Sequence, residues 1–144
     1  MQSFPHHYRA SAGASPEGEV RVAADGLETF LSQAPVQFGG PGDHWSPEDL
    51  LVAAVADCFV LTFRAIAEYS GLSWTKLDCS VEGTLDRVEG ATRFTAFAVD
   101  ARLDLPDNED ADKAHKLMEK AEASCLITNS LTAEITLSVS INAE

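Results

Sequence analysis

Residues 46–71 read SPEDLLVAAVADCFVLTFRAIAEYSG, and the fold turns on this stretch. Ser46 is a helix-capping residue type, Pro47 suits the first helical position, and Glu48 and Asp49 set negative charge against the positive end of a helix. The pattern predicts a helix running to about Tyr69, with Gly71 as its left-handed stop. Leu51, Ala54, Val55, Cys58, Phe59, Thr62 and Ile66 share one face at helical spacing, so the Cys58 thiol is expected where the packing is. The window from Leu50 to Ala67 is nearly long enough to span a bilayer, but Asp57, Thr62 and Arg64 interrupt it. Asp57 and Arg64 fall two turns apart on one face and leave a narrow polar stripe, as on a central core helix.

Around this helix the chain has 144 residues, 45% of them hydrophobic, with 10 Lys and Arg against 23 Asp and Glu, a formal net charge of −13. A chain of this size buries roughly 68–70% of the surface it exposes when unfolded, so a single folded domain over residues 1–144 is expected. Its charge repels phosphate backbones and anionic headgroups, which argues against nucleic acid or membrane as partner. No apolar run near Met1 resembles a secretory core. Cys58, Cys79 and Cys125 cannot form a fully paired framework, which points to a reducing, cytoplasmic setting. No two cysteines have the close spacing of a zinc knuckle and no His stands beside one at ligand spacing, so no metal is expected.

Upstream, short strands are expected at His7–Ala12, Glu19–Ala23 and Leu27–Leu31, the last two joined by an Asp25-Gly26 turn. The segment from Gln37 to Trp45 is rich in Gly and Pro and is expected to be irregular. Downstream, Thr75 to Asp86 alternates, with Leu77, Cys79, Val81 and Leu85 on one face. Thr92 to Leu105 reads as its antiparallel partner, and Phe94 and Phe97, on opposite faces of an ideal strand, hint at a bulge. Pro106 and the acidic run Asp107–Asp112 are expected to open a second helix with Glu109–Lys113 and Asp112–Lys116 ion pairs. Its inward face is Ala114, Leu117, Met118, Ala121 and Cys125. A short turn or one-turn helix over Leu126–Leu131 and a final strand carrying Ala133, Ile135, Leu137, Val139 and Ile141 complete the chain. Antiparallel strands segregated from two main helices give an α+β fold. The first helix is too apolar for one thin sheet to cover, so a homodimer is expected.

The three thiols differ in setting. Cys79, between Leu77 and Val81, has the place of an ordinary buried hydrophobe. Cys58 and Cys125 both lie on inward faces of helices, and on pattern alone they are either two unrelated core thiols or a pair.

The run from Ser46 to Phe59, together with Lys120-Ala121-Glu122-Ala123-Ser124-Cys125 and the following Leu126 to Leu131, resembles the two cysteine signatures of the OsmC/Ohr family of organic hydroperoxide reductases. Element order, chain length and the 67-residue separation of the cysteines agree with it. The resemblance implies an intertwined homodimer of OsmC-like fold. Cys58 would be the peroxidatic cysteine, attacking the O–O bond and becoming a sulfenic acid, and Cys125 the resolving cysteine that closes a disulfide. It implies no cofactor, and a dithiol reductant, a lipoyl-protein in some members, that restores the thiols.

An ordinary thiol with pKa of about 8.5 is only a few per cent ionised at neutral pH, and Cys58 lies too deep in its helix to feel the positive end. A cation or strong donor is needed. In the family an Arg held by a Glu supplies it. Glu48 matches that Glu, whereas Glu17 and Gln37 stand where the Arg is sought; this marks an OsmC-like branch, with His44 and Arg21 as thiolate-activating candidates and Arg9 behind them. Leu126 stands where many members carry Pro. Thr128, Asn129 and Ser130 are expected to serve as turn residues. Phe38, Trp45, Phe59 and Phe63 are candidates to line an apolar substrate mouth. The sequence also leaves open a non-catalytic OsmC-like protein that binds a small apolar ligand, or a thiol redox sensor.

Overall fold

The computed structural model describes residues 1–143, which divide into two compact units, Met1–Leu50 and the remainder from Leu51.

In the first unit β1 (Ser11–Gly13), β2 (Val20–Ala23) and β3 (Phe30–Ser32) form an antiparallel sheet in that order. All three strands are shorter than the sequence suggested, β2 by Glu19 alone. The Leu27 amide closes the Asp25-Gly26 turn onto the Ala24 carbonyl at 3.1 Å, so Leu27 cannot begin the next strand. Ser11 pairs with Ala23, the last residue of β2, and residues before Ser11 have no partner left. The glycine-rich segment is not wholly irregular, because Val36–Phe38 makes one 3₁₀ turn. It ends where Trp45 bridges Ser32 and its carbonyl accepts from the Gln33 amide at 3.0 Å.

Helix α1 (Pro47–Ser70) starts as the sequence dictates. The Ser46 hydroxyl accepts from the Asp49 amide at 3.0 Å and donates to the Asp49 carboxylate at 2.8 Å, which satisfies an otherwise unpaired first-turn amide. At the far end Gly71, with φ of 71°, takes the left-handed stop, and the Leu72 amide returns to the Ala67 carbonyl at 3.0 Å.

In the second unit β4 (Lys76–Val88), β5 (Ala91–Leu105) and β6 (Glu134–Ala143) form a sheet with β5 central. β4 and β5 pair antiparallel, and the hinted bulge is there: Thr84 opposes Ala96 and Leu85 opposes Phe94, leaving Thr95 extra. That insertion brings Phe94 and Phe97 onto the same face, where their rings stack at 5.1 Å. β6 runs parallel to β5, so the sheet is mixed rather than antiparallel throughout. The connection through α2 (Ala111–Ser124) and the single turn α3 (Leu126–Asn129) carries the chain back to the end where β5 began.

The core lies on one face of this sheet. β5 contributes Phe97, Val99, Ala101, Leu103 and Leu105, α2 contributes Ala114, Met118 and Ala121, and α1 contributes Val55, Phe59, Phe63 and Ala67. The α1 stripe is thus centred a little away from the expected one, with Cys58 and Thr62 half-buried at its edge. Close approach of α1 to the sheet depends on Gly83, where an added Cβ would stand 2.8 Å from Val52 Cγ2. α2 starts later than expected: Asp110 is its cap, accepting from the Lys113 amide at 3.1 Å. Neither expected ion pair forms. Lys113 instead donates to the Ser70 carbonyl at 2.9 Å, while Glu109 accepts from the Ser73 amide at 2.9 Å, so both side chains tie α2 to the end of α1.

Candidate functional site

All three cysteines belong to the second unit and none is in a disulfide. Cys58 sits near the middle of α1. Cys125 is the corner between α2 and α3, with φ of −66° and ψ of 111°, rather than the last helical residue the sequence suggested. Its amide donates to the Glu122 carbonyl at 3.2 Å, and its own carbonyl accepts from the Asn129 amide at 3.0 Å and the Thr128 hydroxyl at 3.1 Å. These bonds fix the corner and leave Cys125 only 1% exposed. As expected, Thr128, Asn129 and Ser130 serve the turn, the last two bonding the Ala123 and Leu126 carbonyls.

The corner brings the Cys58 and Cys125 thiols close enough for each to shift the other's titration. Burial pushes the Cys58 thiol up, but hydrogen bonds from the Ile127 amide, the Cys125 thiol, the Thr62 hydroxyl and the Leu126 amide outweigh it and bring it below its ordinary value. The Thr62 oxygen is 3.8 Å from the sulfur. Cys125 goes the other way: burial raises it, Cys58 raises it further, and the Thr128 amide and hydroxyl only partly compensate. Of the two, Cys58, the half-buried member, is therefore the one that ionises first. Cys79 is pushed up to about 11 by burial first, then by the Asp100 carboxylate and Cys125. It stays a protonated thiol on the inward face of β4, the role its sequence setting suggested.

The strong donors that Cys58 needs are partly visible here and were missed from sequence. Thr62 is one turn beyond Cys58, a spacing that could have flagged it. The Leu126 and Ile127 amides have no side-chain signature. Their only trace is the short turn expected after Cys125.

The remaining candidates lie in or before the first turn of α1, apart from two aromatic residues. Glu48 is half-buried, and its Oε1 is buried with no hydrogen-bond partner among the described residues. An anionic oxygen so placed calls for a donor. His44 Nδ1 lies 2.6 Å from Asp43 Oδ1, beside a shallow groove of about 420 Å³ that Leu31, Trp45 and Asp49 also line. Arg21 is exposed on β2 opposite Leu31. Phe38 and Trp45 are exposed within the first unit. Phe59 and Phe63, expected at a substrate mouth, are instead fully buried in the core, with Phe63 edge-on to Trp74 at 5.6 Å. Among the described residues no group of three His, Cys, Asp or Glu side chains is arranged to hold a metal ion.

Comparison with known proteins follows the same lines. The family model described as OsmC-like protein matches residues 40–140. The chain is 31% identical to the uncharacterized protein YmaD of Bacillus subtilis over 121 residues, 81% of this chain and 79% of that one. It is 30% identical to Peroxiredoxin OsmC of Escherichia coli over 129 residues, covering 84% and 88% of the two chains. Among solved structures, an OsmC-like protein of unknown function from Vibrio cholerae superposes with a TM-score of 0.86 at 18% identity, over 94% of this chain and 99% of that one. An organic hydroperoxide resistance protein OsmC from Legionella pneumophila gives 0.75 at 23% identity, over 97% and 99%.

Proposed function

The chain belongs to the OsmC-like protein family, and from that membership we propose that it is a thiol-dependent peroxidase acting on organic hydroperoxides through Cys58 and Cys125. The observation that carries the proposal is the asymmetric pair: a half-buried thiol held low beside a buried thiol held high. A peroxidatic and a resolving cysteine need that division.

In the first step the Cys58 thiolate attacks the distal peroxide oxygen, the O–O bond breaks, and the leaving alkoxide takes a proton to depart as an alcohol. Cys58 is left as an uncharged sulfenic acid. That loss of charge removes one of the influences holding Cys125 high, so Cys125 ionises more readily once its neighbour is oxidised. Its thiolate attacks the Cys58 sulfur, the sulfenic oxygen leaves as water, and a disulfide closes. A dithiol, of which a lipoyl-protein is one example, supplies the two electrons that restore both thiols.

Glu48 is assigned to organising the site, and its unpartnered buried oxygen supports a further donor reaching it in the working protein, a role for which His44 and Arg21 are the candidates. The working form is a homodimer. Only Val55, Phe59, Phe63 and Ala67 of the long apolar α1 are buried within the chain, while Leu61 is 50% exposed, as a helix awaiting a second copy would be. Three unpaired thiols suit a reducing compartment, the cytoplasm.

Treating the reduced protein with one equivalent of cumene hydroperoxide and counting free thiols tests the reading. Two of the three thiols should disappear, none in Cys58→Ser, and Cys125→Ser should hold a sulfenic acid that dimedone traps. Survival of all three thiols in the parent protein would refute it.

A further inference from the structure

The polar stripe of α1 takes no part in the thiol chemistry, and it is open rather than buried. Asp57, Leu61, Arg64 and Glu68 form one exposed line along the helix, at the four-, seven- and eleven-residue steps that share a face. Among the described residues neither Asp57 nor Arg64 has an ion-pair partner. Leu61 between them is 50% exposed, and only 22% of the most apolar 18-residue stretch of the helix is buried. So much uncovered apolar helix calls for a cover, and the charges on it select which. A lipid surface would have to take Asp57, Arg64 and Glu68 into hydrocarbon, because they stand on the face that is open.

We propose, resting on the homodimer reading above but not on its chemistry, that this line is an antiparallel seam between the α1 helices of two copies of the chain, closed by two reciprocal ion pairs in which each Asp57 faces the partner's Arg64. When two identical helices cross antiparallel on a two-fold axis, residue i of one meets residue j of the other with i + j constant. Asp57 and Arg64 lie equally far, about 5 Å along the helix, on either side of a midpoint between Val60 and Leu61. An axis through that midpoint sets each Asp57 against an Arg64 and brings the two Leu61 side chains together at the centre. A parallel pair would set Asp57 on Asp57 and Arg64 on Arg64. The charges therefore choose the antiparallel arrangement, and the apolar surface around Leu61 supplies the area it buries.

Charge reversal tests the register. Asp57→Arg leaves only positive charge at the two positions and Arg64→Asp only negative, so each variant alone sets like against like across the axis. In sedimentation equilibrium each should dimerise about tenfold or more weakly than the parent, although one substitution lowers the net negative charge and the other raises it. An equimolar mixture of the two variants should recover the parental affinity, and so should the double variant, because both restore opposite charges across the seam. Single variants that dimerise as tightly as a dimeric parent would overturn the seam and leave the homodimer standing. Weakening that neither the mixture nor the double variant repairs would also overturn it. If a single variant does not fold alone, the double variant decides: parental affinity supports the seam, and weaker association overturns it. A parent that sediments at the mass of one chain would end both the seam and the homodimer.

Discussion

Cys58 and Cys125 pull each other's protons in opposite directions: Cys125, as donor, lowers Cys58, and Cys58 raises Cys125, first as the acceptor of that proton and then through its charge. Cys125→Ala removes the donor without supplying another. Cys58 in this variant should therefore label more slowly than in the parent near pH 6, by roughly three- to fivefold, while a first equivalent of hydroperoxide still yields a trappable sulfenic acid. The same relation fixes the sign of the stability change. Because the folded state lowers Cys58, its ionised form contributes stability that is present above the unfolded pKa and fades as pH falls through the folded one. The melting temperature of the parent relative to Cys58→Ala should accordingly fall as the pH is lowered from 9.0, the ordinary value of the thiol.

Cys79 has the opposite sign. Its thiol is raised from 9.0 to about 11, so the folded state keeps a proton that the unfolded chain releases first. The stability this gives is complete below about pH 9 and is lost as pH rises towards 11. Discounted for partial exposure, the loss should be on the order of 1 kcal/mol. Urea melts of the parent and Cys79→Ala should show the parent losing more stability over that interval. The variant should still give up two thiols to cumene hydroperoxide.

Gly83 sets how near α1 can approach the second sheet. An alanine methyl there would meet Val52 Cγ2 at 2.8 Å, Phe94 Cε1 at 2.9 Å and Phe97 Cε1 at 3.1 Å. The branched valine and the stacked rings have little freedom to withdraw, so Gly83→Ala should cost about 1–3 kcal/mol and several degrees of Tm. A melting temperature equal to the parent's would show that this contact yields.

The exposed side of α1 offers the test of assembly. Parent protein, 15.4 kDa per chain, should sediment at twice that mass. Leu61→Glu places a charge on the half-exposed apolar surface and should shift the protein towards monomer. Sedimentation of the parent at the single-chain mass would remove the dimer from the proposal.

The sequence was most informative where a local rule had no competitor. Ser46, Pro47 and Gly71 delimited α1 because capping and left-handed stops act over a few residues, and the misfit of Phe94 and Phe97 marked the bulge because strand alternation is strict. Rules that needed a partner's position failed. Lys113 bonds Ser70 rather than Glu109 because the end of α1 lies beside it in space, and β6 runs parallel because the α2–α3 crossover sets its direction. The site divides the same way. The two cysteines were legible through helical faces and family signatures, but the Leu126 and Ile127 amides were not, since a backbone N–H has no letter in the sequence. Phe59 and Phe63 were misplaced because helical spacing cannot tell a pocket wall from a core.

Thr128 provides a way to separate the two chemical steps. It is buried, with its hydroxyl 3.1 Å from the Cys125 carbonyl, and its amide and hydroxyl both work to lower the Cys125 thiol. It is not among the groups that shift Cys58. Thr128→Val should leave Cys125 protonated more of the time after Cys58 is oxidised, while the first attack keeps its rate. With stoichiometric hydroperoxide the sulfenic acid should form at the parental rate and then persist, its conversion to disulfide slowed roughly five- to tenfold near neutral pH. Raising the pH should shrink the difference, because Cys125 then ionises without help. Equal slowing of both steps would mean that Thr128 holds the corner in place and does not tune the resolving thiol.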